Sequence, residues 1–415
     1  MNGKDLSFDL VVVGAGPAGM MCAYTAAKCG LHVIIIDPNR YPGRKLRITG
    51  KGRCNLTNDC DIRKFMENVP CNAKFLYSSI NDFPPSAVIA FFEENGLPLK
   101  TERGSRVFPV SDNANDVADT MARLCRENGV VFRRDKVRRL LIHETAVYGV
   151  ETAEGIISST EVALCTGGLS YPLTGSAGDG HRLAAEAGHT VRPCRPSLVP
   201  LESDDPWCAE MQGFSLKNIA LTVFEDGKAI YNDFGEMLFT HFGVSGPVIL
   251  SASSHMRNFG HSVYRIEIDL KPALDEKKLD ARILRDFQKY SNREIKNALN
   301  DLAASSMIPV LIELSGIPGE TKVNSVTKEQ RERLVQLFKK FPVSISGTRP
   351  IDEAIVTSGG IDVKEIDPRS MQSKKVKGLY FAGEIIDVDA YTGGFNLQIA
   401  WSTGHMAGKS AGKDR

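Results

Sequence analysis

Asp9-Leu10-Val11-Val12-Val13-Gly14-Ala15-Gly16-Pro17-Ala18-Gly19 is the stretch on which the architecture turns. An apolar, β-branched run leads into three glycines spaced G-x-G-x-x-G. Met20 to Cys29 follows, rich in Ala and Met and suited to a buried helix that Gly30 stops. His32-Val33-Ile34-Ile35-Ile36-Asp37 then reads as a second buried strand. Two continuous apolar strands around a helix predict a parallel sheet covered on both faces. The glycine spacing alone is a weak signal. Here a strand precedes it, a helix follows, and an acid stands 18 residues past Gly19, which together make a dinucleotide-binding fingerprint. Gly14 permits the tight turn, Gly16 lets a pyrophosphate approach the backbone, and Gly19 allows close helix–strand packing. The helix N-terminus offers free N–H groups and partial positive charge to phosphates. Asp37 accepts from ribose hydroxyls, and its charge argues against a 2′-phosphate. Gly14, Gly16, Pro17, Ala18, Gly19, Asp37 and Pro38 are therefore candidate cofactor-binding residues.

Composition sets the outer bounds. A chain of 415 residues is expected to form two to three structural units. With 42% hydrophobic and 24% charged residues it is an ordinary globular protein. Lys+Arg 51 against Asp+Glu 50 leaves a formal charge of +1. Without a global field, a general nucleic-acid binder is disfavoured. The nine cysteines are scattered with no C-x-x-C, as expected for reduced thiols in the cytoplasm. The strand Leu10–Val13 begins too early for a secretory leader. The most apolar stretch, Phe8–Ile36, is broken by Gly14, Gly16, Pro17, Lys28 and Gly30, so no membrane span is expected.

Farther along, residues 41–58 form a loop dense in Gly, Arg, Lys and Asn. Residues 84–95 and 115–128 read as helices. Val130–Phe132, Val137–Ile142, Ala146–Thr152 and Gly155–Ser158 read as an antiparallel meander. It returns to a buried strand, Glu161–Cys165, ending in Thr166-Gly167-Gly168. Pro193, Pro196, Pro200 and Pro206 mark a boundary. Ile219–Phe224 and Ala229–Asn232 flank the turn Glu225-Asp226-Gly227, a hairpin signal, and Tyr264–Leu270 alternates as a strand. Residues 275–340 are helical, and after Gly347 the pattern is α/β again. The expected class is α/β: a Rossmann-like nucleotide-binding domain of residues 1–192 and 346–415. A β-rich subdomain, 193–272, and a mainly helical one, 273–345, interrupt it.

The choice between nicotinamide and flavin rests on the residues after Asp37. No run of further βαβ units appears. A cationic loop comes instead, with Arg44 and Lys45 placed to reach a pyrophosphate or ribityl oxygens. Near the far end, Ala382-Gly383-Glu384 closes a strand, Asp387 comes next, and Gly394-Phe395-Asn396-Leu397 opens the last helix. Flavoproteins of the glutathione-reductase-like two-dinucleotide-binding class end this way. The helix N-terminus would stabilise negative charge at the flavin pyrimidine edge.

These segments together resemble the bacterial HI0933-like flavoproteins, also described as YhiN/BaiN-type or aminoacetone-oxidase-like. Gly43-Arg44-Lys45 through Gly50-Lys51-Gly52-Arg53-Cys54-Asn55-Leu56-Thr57-Asn58 matches the family's cationic loop. Thr166-Gly167-Gly168-x-Ser170-Tyr171-Pro172-x-Thr174-Gly175-Ser176-x-Gly178-Asp179-Gly180 matches its second block. Thr240-His241-Phe242-Gly243-Val244-Ser245-Gly246-Pro247 matches a block in the insert, and Gly383 to Gln398 completes the set. Lys51 departs from the pattern, where a third glycine is common. The resemblance implies an enzyme with non-covalent FAD and a β-barrel-like plus helical insert. It adds Gly52, Arg53, Cys54, Asn55, Thr57, Val137, Thr166, Gly167, Gly168, Gly178 and Asp179 to the candidate cofactor residues. It leaves the reaction open, because members carry out different ones.

Flavin itself would perform hydride or electron transfer. The expected reaction is reduction of an activated C=C bond or oxidation of a small amine, with substrate between the FAD domain and the insert. No zinc spacing or H-E-x-x-H is present. Candidate catalytic groups are Cys54, whose thiol Arg53 would acidify, His241 as a proton carrier, and Tyr391 beside the flavin. Each has a plain structural alternative, Cys54 most of all, since no second cysteine lies three or five residues away. Asp179 and Gly180 are expected to cap the helix that begins there. A second nicotinamide fingerprint is missing, so NAD(P)H would act only as a transient donor. Rival readings are an RNA-modifying flavoprotein, with Arg133–Arg139 as its basic run, and a non-catalytic flavin-binding protein. The oligomeric state is left open.

Overall fold

The computed structural model describes residues 6–413, and the chain divides into two compact units. One comprises Met1–Ser197 with Pro350–Arg415, the other Leu198–Arg349. The strand Val191–Ser197 runs through the 192/193 boundary read from the sequence and pairs antiparallel with Val356–Ile361.

In the first unit, Leu6–Val13 is central, with Val33–Ile36 parallel on one side and Gly155–Leu164 parallel on the other. Val131–Arg133 extends the sheet in parallel beyond Val33–Ile36. It does not join the expected meander, because the break at Arg134–Lys136 separates it from Val137–His143. Gly155–Ser158 and Glu161–Cys165, expected as two strands, form one ten-residue strand, Gly155–Leu164, with two partners along its outer edge. Ala146–Thr152 pairs with its start, and Leu379–Phe381 pairs in parallel with its end. The doubly covered α/β sheet is thus present, built from both ends of the chain.

The first helix, Pro17–Lys28, and the terminal helix, Phe395–Ser410, lie against each other. Gly404 and Gly408 make this possible, since a Cβ on either would overlap the carbonyl of Ala18 or Cys22. A small sheet that the sequence did not announce, Thr57–Asn58, Arg106–Pro109 and Leu99–Glu102, sits beside the N-terminus of the terminal helix.

The second unit holds a seven-stranded antiparallel sheet among the described residues. Its hairpin, Ser215–Glu225 with Lys228–Thr240, turns at Asp226-Gly227 as expected. The two edge strands, Phe341–Ile345 and Gly347–Thr348, are consecutive in the chain, so the sheet curls on itself in barrel fashion. Glu276–Lys289, Ile308–Ser315 and Lys328–Lys339 share one apolar core with it. No helix among the described residues is long and apolar enough to cross a membrane.

Candidate functional site

The carboxyl ends of the parallel strands of the first unit converge where Gly14, Asp37, Thr166 and Gly383 succeed them. Crevices at this edge of a doubly wound sheet take nucleotides. Gly14 turns with φ +104°, and a Cβ there would lie 2.5 Å from the carbonyl oxygen of Cys165. A Cβ on Gly19 would overlap the Gly14 carbonyl. Both glycines are therefore demanded by the protein's own packing. Gly16 is different: it N-caps the helix that Pro17 and Ala18 begin, and a Cβ on it would meet nothing within 4 Å. The space before this helix N-terminus is open, as a pyrophosphate requires.

Asp37 organises its corner. Its Oδ2 accepts from the Ala15 N–H at 2.7 Å and its Oδ1 from the Asn39 N–H at 2.8 Å. The Asn39 side chain then donates to the Thr174 carbonyl at 3.0 Å and accepts from Arg44 at 3.2 Å. Arg44 is exposed, as is Pro38, whose carbonyl accepts from Arg134. Val137 is buried at the start of its strand. Lys45 does not reach outward: its ammonium lies 2.7 Å from both Glu384 Oε2 and Ser170 Oγ. Glu384 Oε1 accepts from Ser170 Oγ and from the Thr357 N–H, each at 2.8 Å. Burial pushes the Glu384 carboxyl up, but Lys45 and these hydrogen bonds outweigh it and hold it below its usual range. Gly168 lies so close to Thr357 Oγ1 that a Cβ would overlap it.

The loop from Thr49 to Cys54 is folded tightly. Gly50, Lys51, Gly52 and Cys54 all have positive φ. Lys51, at φ 58°, occupies the left-handed region that favours glycine. Arg53 does not acidify its neighbour. It is bound to Glu102 and Asp112 and stacks over Phe108 at 4.2 Å. Cys54 is fully buried, and burial pushes its thiol up to about 12 against a smaller opposing effect of Thr49. The expectation of an activated thiolate fails here, because desolvation dominates.

Thr57 anchors this loop to the terminal helix. Its Oγ1 donates to Gln398 Oε1 at 2.5 Å, and Gln398 donates to the Phe83 carbonyl. Trp401 Nε1 donates to the Leu56 carbonyl at 3.0 Å. Gly394, with φ +99°, is the helix N-cap, and a Cβ on it would overlap the Thr57 carbonyl. Phe395 is buried, Leu397 half-buried, and the Asn396 amide ties down the Ala390 backbone through both its oxygen and its nitrogen. Asp387 accepts from Asn72, and the Tyr391 N–H donates to the Asn68 carbonyl.

Asp179 is not a helix cap. Gly178 is the N-cap of Asp179–Glu186 without a side-chain bond, and Asp179 pairs with Lys136 at 2.8 Å. Gly167 faces Ser176. His241 lies in the second unit, exposed beside Phe242. Sequence reasoning missed Asn39 and Thr357, and read Ser170 and Gln398 only as parts of motifs. Each acts through a partner remote in the chain, so no local pattern marks it.

Thr166 Oγ1 and Asn55 Oδ1 are among the buried side-chain oxygens with no hydrogen-bond partner among the described residues. Buried polar atoms are rarely left so. With the open Gly16 approach, the Asp37 corner and the glycine-capped terminal helix, these residues fit a dinucleotide flavin.

Comparison with known proteins agrees. The HI0933-like protein Rossmann domain matches residues 8–410. The ribosomal RNA dihydrouridine synthase of Escherichia coli is 30% identical over 95% of this chain and 96% of its own length. The 3-dehydro-bile acid delta(4,6)-reductase of Clostridium scindens is 29% identical over 96% and 98%. The fold is shared with 3-ketosteroid-delta4-(5alpha)-dehydrogenase from Rhodococcus jostii RHA1, at TM-score 0.54 and 14% identity, covering 100% of this chain and 98% of that one. The chain belongs to the HI0933-like family of flavin-dependent oxidoreductases.

Proposed function

We propose that the protein is an FAD-dependent reductase acting on a carbon–carbon double bond conjugated to a carbonyl, and that its substrate is a uridine in RNA. The observation that carries the flavin part is the open approach to Gly16 at a helix N-terminus, with Asp37 at the end of the next strand. The reaction is supported by the two full-length relatives. Dihydrouridine is uridine saturated at a bond conjugated to a ring carbonyl, and a steroid dienone reductase saturates the same kind of bond. The net change consumes one NAD(P)H and one proton per double bond, with NAD(P)H binding transiently.

Bound FAD supplies the hydride chemistry. The chain's residues hold and orient it. The Gly14–Gly19 turn takes the pyrophosphate, Asp37 the ribose, and Thr166 and Asn55 offer their unpaired oxygens. The N-terminal N–H groups of the terminal helix, at Phe395–Leu397, stabilise negative charge on the ring. His241 and Tyr391 remain the candidate catalytic side chains of the same proposal.

The test incubates holoenzyme and NADPH with ribosomal RNA lacking dihydrouridine, read by mass spectrometry of nucleosides. Dihydrouridine formation is expected. Turnover of a steroid enone without change in RNA would make the substrate a small enone. Oxygen consumption with an amine and no double-bond reduction would overturn the reductase reading.

A further inference from the structure

We propose that the hairpin tip Arg103–Arg106, together with Lys51, grips the phosphates of single-stranded RNA beside the N-terminus of the terminal helix. This rests on the RNA reading above and adds the surface that would serve it.

The tip joins two antiparallel strands in which Glu102 opposes Arg106. Arg103, Gly104 and Arg106 are exposed. The tip is tied to the site by one side chain: Asn58 Nδ2 donates to the carbonyls of Gly104 and Gly393, each at 3.0 Å. Gly393 directly precedes the helix N-cap. The Asp59 N–H also donates to the Ser105 carbonyl at 2.7 Å. Lys51 is exposed, and its neighbour Gly50 lies near the Phe108 ring on which Arg106 also rests. A Cβ on Gly50 would lie 3.7 Å from that ring, and the Arg106 guanidinium lies 5.8 Å from its centre.

Pairing decides which cations are free to bind a ligand. Arg53 is bound to Glu102 and Asp112, and Lys100 to Asp112 at 2.6 Å. Lys51, Arg103 and Arg106 have no ion-pair partner among the described residues. The exposed carboxylate of Asp59 at the tip lowers this charge but does not cancel it. In the longer basic run at 133–139, Arg133 pairs with Asp135 and Glu154, Lys136 with Asp179, and Arg139 with Glu151, which leaves Arg134 and Arg138 exposed without an ion-pair partner among the described residues. Position favours the tip: its two unpaired arginines are tied through Asn58 to Gly393, beside the N-terminus of the terminal helix.

The chemistry favours single strands. A base reacting in a protein site must leave the helical stack. Its flanking phosphates then lie at the rim, where arginine's planar fork binds them. Each phosphate contact contributes about −0.7 to the slope of log K against log salt for single strands.

The test measures fluorescence anisotropy of a labelled single-stranded RNA carrying a central uridine, bound to holoenzyme over a salt series. R103A/R106A is expected to weaken binding at least tenfold at moderate salt and to flatten the slope by about 1.4. Flavin content, Tm and NADPH oxidation by a quinone acceptor should be unchanged. R139A should bind like wild type. Wild-type RNA affinity and slope in R103A/R106A would overturn this surface while leaving the RNA reading intact. Wild-type protein that binds no single-stranded RNA would overturn the RNA reading itself, and the surface with it.

Discussion

The ammonium of Lys45 and the carboxylate of Glu384 lie 2.7 Å apart across 339 residues of chain. Together with Ser170 and Thr357 they join four segments: the loop after the second strand, the Thr166-Gly167-Gly168 turn, Val356–Ile361 and the turn after Leu379–Phe381. Sequence alone points Lys45 and Glu384 separately at the flavin. Their pairing makes them a clasp between the amino- and carboxyl-terminal parts of the nucleotide-binding unit.

Lys45→Ala should therefore destabilise the protein by about 2 kcal/mol, since it leaves a largely buried carboxylate without its cation. Glu384→Gln should cost less, because the amide still accepts from Thr357. A double-mutant cycle by thermal unfolding should show coupling of about 1 kcal/mol or more. Additive effects would mean that the two groups act independently.

Gly16→Val and Gly19→Val should fail in different ways. The Gly16 side is open, so the variant should fold with the Tm of flavin-free wild type yet bind no flavin, because its side chain takes the pyrophosphate's place. Gly19→Val should not fold, because its Cβ overlaps the Gly14 carbonyl. Asp37→Ala should weaken FAD affinity by roughly 1–3 kcal/mol and also lower Tm, since the carboxylate holds the Ala15 and Asn39 amides. Visible absorbance and calorimetry on the same preparations separate these outcomes.

Cys54→Ala should keep most of the turnover. A thiol buried and pushed up to about 12 is neutral at physiological pH and cannot serve as a thiolate. Slow alkylation of Cys54 in native protein is the accompanying expectation. Rapid alkylation, or loss of turnover with flavin retained, would restore a chemical role.

Glu365 predicts a pH dependence. Burial pushes its carboxyl up, but hydrogen bonds from Lys375 and from the Thr190 backbone and hydroxyl prevail and bring it to about 2, against an ordinary 4.5. A depressed carboxyl stabilises the fold above its unfolded pKa. That stability is lost as pH falls from about 4.5 through about 2, and amounts to roughly 3 kcal/mol. Glu365→Gln should be less stable than wild type at neutral pH and show a flatter stability profile below pH 4.5. Parallel acid-unfolding curves would contradict this.

The sequence was most legible where one local pattern has one physical solution. Gly14, Gly19 and Asp37 announced their tasks because turn, packing and strand end lie within one βαβ unit. The sequence misled where a strand's partner is remote. Val131–Arg133 looked like part of a meander because its neighbour in sequence is a strand, yet it pairs with Ile34–Ile36. The small sheet holding Thr57 was invisible because its strands are short, and one is only two residues long. Cationic residues were the hardest to assign. Arg53 and Lys45 carry the same signal as Arg103 and Arg106, and only the carboxylates brought beside the first pair by folding tell them apart.

The central claim is that a dinucleotide flavin lies along the Gly14–Gly19 turn, the Asp37 corner and the amino end of the terminal helix. Flavin released by denaturing protein purified in the dark and analysed by chromatography tests it most directly. The account predicts about one FAD per chain, with FMN and nicotinamide dinucleotides absent. Colourless protein that takes up no FAD on reconstitution, with Tm unmoved by saturating FAD, would contradict it.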